Sequence, residues 1–253
     1  MSRKLEVGEV LSEVFAIYRE NAGVLIPLAF WLFLVVAIVQ GIATNSVFLT
    51  LLAAILNLVA SFLYEGMVVS LVRDVQDGRR DLSIGELYRQ VTPVLGTLIG
   101  ASILYAIGVG IGFILLIVPG LFLLTIWAVI APAVVIENRG VIESFGRSRE
   151  LVKGYGWPTF GVIIIAALIT AIATLILVSI AAAIADGPIL RIILGLLASS
   201  VTAPITALVA GVLYYRLLQL KGDPGAITKD VAGEAYAPPP PPPAEPPGPG
   251  AAA

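Results

Sequence analysis

The stretch NAGVLIPLAFWLFLVVAIVQGIATNSVFLTLLAAILNLVASFLY, residues 21–64, runs for 44 residues without an Asp, Glu, Lys or Arg. A membrane-crossing helix needs about 20 consecutive apolar residues, so this length holds two crossings and a tight turn. Thr44-Asn45-Ser46 breaks it near the middle, with Asn45 or Ser46 placed to cap the second helix. Residues 90–136 form another charge-free stretch, of 47 residues, again two helices long. Residues 154–185 and 192–215 are also charge-free, separated by a segment carrying Asp186 and Arg191. The expected fold is an all-α polytopic transmembrane bundle. Its six spans lie near residues 23–43, 47–72, 93–117, 120–137, 158–184 and 189–219 and pair as three hairpins. Pro119-Gly120 is the expected turn of the second hairpin and Asp186-Gly187-Pro188 that of the third.

Composition carries the same message. The chain is 58% hydrophobic and 13% charged, with a mean hydropathy of +1.00. A soluble domain carries about 25% charged residues, so much of this surface must face lipid. A net charge of −2 offers no basic stripe for nucleic acid. Cysteine and histidine are both absent. That removes disulfides, thiolate nucleophiles and Cys-ligated zinc, and with them the commonest general base and metal ligand. No catalytic residue, metal site or cofactor is therefore assigned.

Lys and Arg set the expected orientation. Arg3, Lys4, Arg19, Arg73, Arg79, Arg80, Arg89, Arg139, Arg147, Arg149, Lys153, Arg216, Lys221 and Lys229 fall on one side of the six spans, and only Arg191 on the other. The basic side, with both termini, belongs in the cytoplasm. Met-Ser-Arg-Lys is followed by Glu6, Glu9, Glu13 and Glu20, which does not fit a signal peptide.

Each hairpin is preceded by an amphipathic segment and a breaker, so the membrane domain reads as three repeats of interfacial helix plus hairpin. Val7, Val10, Leu11, Val14 and Tyr18 form the first stripe, ended by Asn21-Ala22-Gly23. Ser83-Ile84-Gly85-Glu86 opens the second as a capping box, with Ile84, Leu87, Tyr88 and Val91 as its stripe and Pro93 as its breaker. Val141, Phe145, Ser148 and Val152 form the third, opposite Glu143, Arg147 and Glu150. Residues 1–222 make up this domain. Residues 223–253 form a tail containing Pro238 to Pro243 in unbroken succession. It is expected to be disordered and extended, and could dock a cytoplasmic protein.

Four groups of residues are candidates for function or packing. Glu65 lies eight residues before Arg73, about 12 Å inside the helix end. A carboxylate there should titrate protons, contact a ligand or pair with a base. Arg147, Arg149 and Lys153 are candidate contacts for anionic lipid headgroups. Gly96, Gly100, Gly108 and Gly112 offer small-xxx-small spacings for close helix packing. Pro27, Pro132 and Pro204 fall inside spans and should kink them.

Pro119-Gly120, Trp127, Pro132, Val134-Val135, Glu137, Arg147-Ser148, Leu151, Gly154 and Trp157 form a series. With Gly8-Glu9-Val10-Leu11 and Tyr18-Arg19-Glu20-Asn21, it resembles the membrane domain of bacterial glycerophosphodiester phosphodiesterases. The resemblance covers about residues 5–220. It implies a multi-pass helical domain in a bacterial inner membrane, with a link to glycerolipid metabolism through its fused relatives. It does not imply diesterase activity, which resides in a separate barrel with catalytic histidines. The expected function is a non-catalytic membrane protein that organises lipid or a partner subunit; the alternative is a small transporter.

Overall fold

The structure, a computed structural model, describes residues 5–42, 46–76, 83–184 and 187–222. The proline-rich tail, with its expected docking role, lies outside the described residues, as do Thr44, Asn45 and Asp186. The elements are α1 (Val7–Ile42), α2 (Val47–Gln76), α3 (Ile84–Val91), α4 (Leu95–Leu115), α5 (Ile117–Ile126), α6 (Ile130–Glu137), α7 (Val141–Val152), α8 (Gly156–Ile184) and α9 (Pro188–Lys221). A 3-10 turn at Thr92–Val94 joins α3 to α4. No strand occurs among the described residues. Among the described residues, six helical units are long and apolar enough to cross a membrane: α1, α2, α3–α4, α5–α6, α8 and α9. The protein is an all-α, multi-pass membrane bundle.

The long helices exceed what the bilayer requires. α1 has 36 residues, or about 54 Å, against a hydrocarbon core of about 30 Å. Its charge-free part, residues 21–42, accounts for about 33 Å of this. The turns before it therefore project at the charged end, where Val10 and Val14 of the α1 stripe pack inward beside Ile17. Asn21-Ala22-Gly23 does not end a separate interfacial helix, because α1 runs through it unbroken. A single Gly costs a helix only about 1 kcal/mol, and packing on both sides outweighs that.

α9 is the central element, packed against α1, α2 and α8 and touching α6 and α7. Most of its second half is enclosed, with Leu208, Val212, Leu213, Tyr214 and Leu217 fully buried. Far from the charged end the packing opens. Val35, Ile38 and Ile42 of α1, Phe48 and Leu51 of α2, Ile114 and Leu115 of α4, and Ile189 of α9 are all exposed. A helix surface that is apolar and outward-facing over this length suits lipid rather than water.

Two of the expected caps form. Ser46 Oγ accepts from the Leu49 N–H at 3.4 Å, capping α2. At α3, Ser83 Oγ accepts from the Glu86 N–H while the Glu86 carboxylate accepts from the Ser83 N–H at 2.8 Å, completing the capping box.

The second hairpin turns elsewhere than expected. The single extended residue Leu116 separates α4 from α5, and Pro119-Gly120 lies in the first turn of α5. Pro119 occupies the third helical position, where an N–H has no intrahelical acceptor, so the ring costs nothing. Gly120 serves approach rather than turning: a Cβ built on Gly112 would stand 3.0 Å from the Gly120 Cα. The fourth span is also not one helix. Residues 127–129 interrupt it between α5 and α6, and Pro132 is again at the third position, now of α6. Pro27 and Pro204, by contrast, lie inside unbroken helices.

The glycine series divides. A Cβ on Gly108 would come within 2.5 Å of the Trp127 ring, and one on Gly100 within 3.0 Å of Val141. Gly96 faces open space, so it is not a packing glycine. Gly108→Ala is expected to destabilise by about 1–3 kcal/mol through overpacking. Gly96→Ala should be neutral or stabilise slightly, since Ala is the better helix former. Thermal unfolding of both variants in one detergent checks the contrast.

Candidate functional site

α2, which packs against α4, α6 and α9, carries Glu65, and α8 lies across a cavity from it. The half-buried Glu65 side chain opens onto this cavity, of about 240 Å³, bounded by these helices and by the α5–α6 interruption. Apart from Thr206 the rest of the cavity wall is apolar or aromatic, with Phe62, Tyr105 and Trp127 the large side chains. The rings form a chain, with Phe62 5.3 Å from Tyr105 and Tyr105 6.3 Å from Trp127, centroid to centroid. Among the described residues, no Lys or Arg lines the cavity, and no hydrogen bond or ion pair reaches the Glu65 carboxylate. Sequence position alone therefore located a real anomaly: a carboxylate well inside a span, without a counter-charge.

The α5–α6 interruption supplies one wall of this cavity, and its exposed backbone groups need partners. Ser148 of α7 provides them. Its hydroxyl donates to the Ile126 carbonyl at 2.9 Å and accepts from the Val129 N–H at 3.2 Å. Phe145, one turn earlier, packs edge-on against Trp127 at 4.8 Å. The apolar stripe of α7 thus faces the bundle and holds the broken helix in place. Ser148 was legible as part of that stripe, but its bridging role was not, because the break it patches was not expected.

A second constellation lies beside it. Arg147 Nε meets the Glu137 carboxylate at 2.7 Å, and the Tyr214 hydroxyl donates to the same carboxylate at 2.9 Å. The Arg147 and Glu137 side chains are only 11% and 12% exposed. Arg139 and Glu150 extend the network at 3.0 and 3.4 Å. The guanidinium of Arg147, one of the expected headgroup contacts, is thus engaged by a carboxylate of the protein. Arg149 and Lys153 remain exposed. At the same end of the bundle, Arg216 of α9 pairs with Glu13 of α1 at 2.7 Å, and Gln76 of α2 donates to Glu13 at 2.8 Å. Lys221 Nζ donates to the Lys153 carbonyl at 2.7 Å.

No family model, curated protein or solved structure matches the chain.

Removing one partner of a buried ion pair strands the other, at about 3–5 kcal/mol. Arg147→Ala should therefore lower stability on that scale, whereas Arg149→Ala should change it by no more than about 0.5 kcal/mol. Ser148→Ala leaves a carbonyl and an N–H without their bond and should cost about 1–3 kcal/mol. Denaturant unfolding of the three variants in detergent measures this order directly.

Proposed function

We propose that this is a non-catalytic membrane protein that binds a small solute in the Glu65 cavity, and that it works as a small carrier. The observation that carries the reading is the Glu65 carboxylate, facing an intramembrane cavity without an ion pair or hydrogen bond. An ionised carboxylate at membrane depth costs on the order of 3 kcal/mol by insertion scales. A group kept there without a protein partner is suited to an exchangeable one. The interrupted α5–α6 helix supports the same reading, since irregular backbone within a membrane is tolerated where it lines a cavity. Broken helices are also a recurring way of building solute sites in carriers. The alternative, lipid organisation through the basic segment, loses Arg147 to Glu137.

Lipid contact is retained as a second reading for Arg149 and Lys153, both exposed near the inner end of α7. Basic side chains at a membrane surface attract anionic headgroups by about 1 kcal/mol each. This reading also carries the orientation and host membrane: a cytoplasmic basic end in a bacterial inner membrane, in line with the resemblance to the glycerophosphodiester phosphodiesterase membrane domain.

Reconstituted in liposomes, the wild-type chain should support saturable flux of a solute from a panel of labelled amines, amino acids and sugars. Glu65→Gln should reduce that flux at least tenfold at unchanged unfolding temperature. Flux no faster than from empty liposomes across the whole panel, with no small molecule retained by the purified protein in native mass spectrometry, overturns the carrier reading.

A further inference from the structure

The reading of the Glu65 cavity as a ligand site leaves the chemical class of the ligand open, and the composition of the wall narrows it. We infer that the cavity selects small organic cations, holding a protonated or quaternary amine between the Glu65 carboxylate and the rings of Phe62, Tyr105 and Trp127.

Charge comes first. Among the described residues, Glu65 is the one ionisable acid or base on the wall besides the Tyr105 phenol, and no basic side chain reaches the cavity. An anionic ligand would meet a like charge with no compensation. A neutral apolar ligand would displace water from the carboxylate and leave it without a partner, which is costly away from bulk solvent. A cation removes the imbalance.

The wall then distinguishes an organic cation from a metal ion. Calcium takes six to eight oxygen ligands, and magnesium holds a near-ideal octahedral shell. This wall offers one carboxylate, the phenol of Tyr105 and the hydroxyl of Thr206, which already donates to the Ala203 carbonyl at 3.0 Å. Three aromatic side chains complete the large surfaces, and π-systems attract cations most when the cation is weakly hydrated, as a quaternary ammonium is. Aromatic walls with a carboxylate suit alkylammonium and fail a bare divalent ion.

Size agrees. The cavity measures about 240 Å³, below the range of about 300–1,000 Å³ usual for drug-sized ligands. At about 30 Å³ per water, it holds roughly eight waters, or an amine of similar heavy-atom count.

The test uses the full chain in nanodiscs, with choline and its neutral carbon isostere 3,3-dimethylbutan-1-ol as probes. The two share shape and hydroxyl and differ in charge. Labelled choline should bind saturably, and the isostere should compete at a concentration at least tenfold higher than unlabelled choline. Glu65→Gln should weaken choline binding at least tenfold at unchanged unfolding temperature. A second measurement replaces all three tryptophans with a ring-fluorinated analogue, which weakens the ring quadrupole without changing the fold. Trp31 and Trp157 are 65% and 85% exposed and lie outside the cavity, so a several-fold loss of choline affinity reports on Trp127.

Equal competition by the isostere, or choline binding unaffected by Glu65→Gln, overturns the cation assignment and leaves the cavity a ligand site of another class. Saturable flux of an amino acid or sugar without choline binding does the same. The absence of any bound or transported solute overturns the carrier reading as well.

Discussion

Hydrocarbon offers a peptide group no hydrogen-bonding partner, and this constraint shapes every feature of the bundle. It forces each crossing into helix, and it governs each departure from helix. At Leu116 the departure is one residue long, and its N–H still bonds to the Gly112 carbonyl at 3.1 Å. At residues 127–129 it is longer, and the Ser148 hydroxyl is needed to engage both sides of the gap. The interruption and the cavity are consequently linked. Unwound backbone can exist at this depth only where protein covers it or a cavity adjoins it, and here α7 covers one side while the Glu65 cavity occupies the other.

The same constraint explains why packing is uneven along the bundle. Between apolar helices in lipid there is little hydrophobic drive to associate, because lipid tails are as apolar as the side chains. Association then depends on close van der Waals fit and on polar contacts. The polar contacts gather at the charged end, in Glu13 with Arg216 and Gln76, and Glu137 with Arg147 and Tyr214. The enclosed half of α9 lies at that end too. Toward the other end, where α1 meets the start of α9, Leu34, Ile38, Ile189 and Ile192 border an apolar cleft. Among the described residues no polar contact fastens the helices there, and exposed Ile and Leu side chains suit lipid.

Sequence reading was strongest where the determinant was local. Uncharged length fixed the number of crossings, and Ser46 and the Ser83–Glu86 pair announced helix starts through interactions three residues apart. It failed where a local signal had two physical meanings. Proline followed by glycine marks a turn when the missing N–H and the small residue both serve chain reversal. In α5 the same pair serves a helix start and a backbone approach to Gly112. Asn21-Ala22-Gly23 resembles a helix end, but nothing in three residues registers the packing of α1 against α9. Arg147 has the sequence context of a basic surface residue, and its Tyr214 neighbour across Glu137 lies far along the chain. Glu65 was legible as an isolated charge, whereas the Tyr105 and Trp127 walls opposite it depend on how α4 and the broken span fold back onto α2.

Comparing the carboxylates shows what separates holding from binding in this fold. Glu137 meets two guanidinium groups and a phenol, so its charge is consumed by the architecture and no lone pair need await a visitor. Glu65 shares a cavity with rings, aliphatic carbon and the hydroxyls of Tyr105 and Thr206. Were stability the sole role of position 65, an apolar side chain of the same volume would pack there at lower desolvation cost, as buried charges rarely add stability even when paired. The bundle has the means to neutralise an acid, and it applies them at Glu137 and Glu13. Leaving Glu65 outside those networks keeps its carboxyl available to whatever enters the cavity.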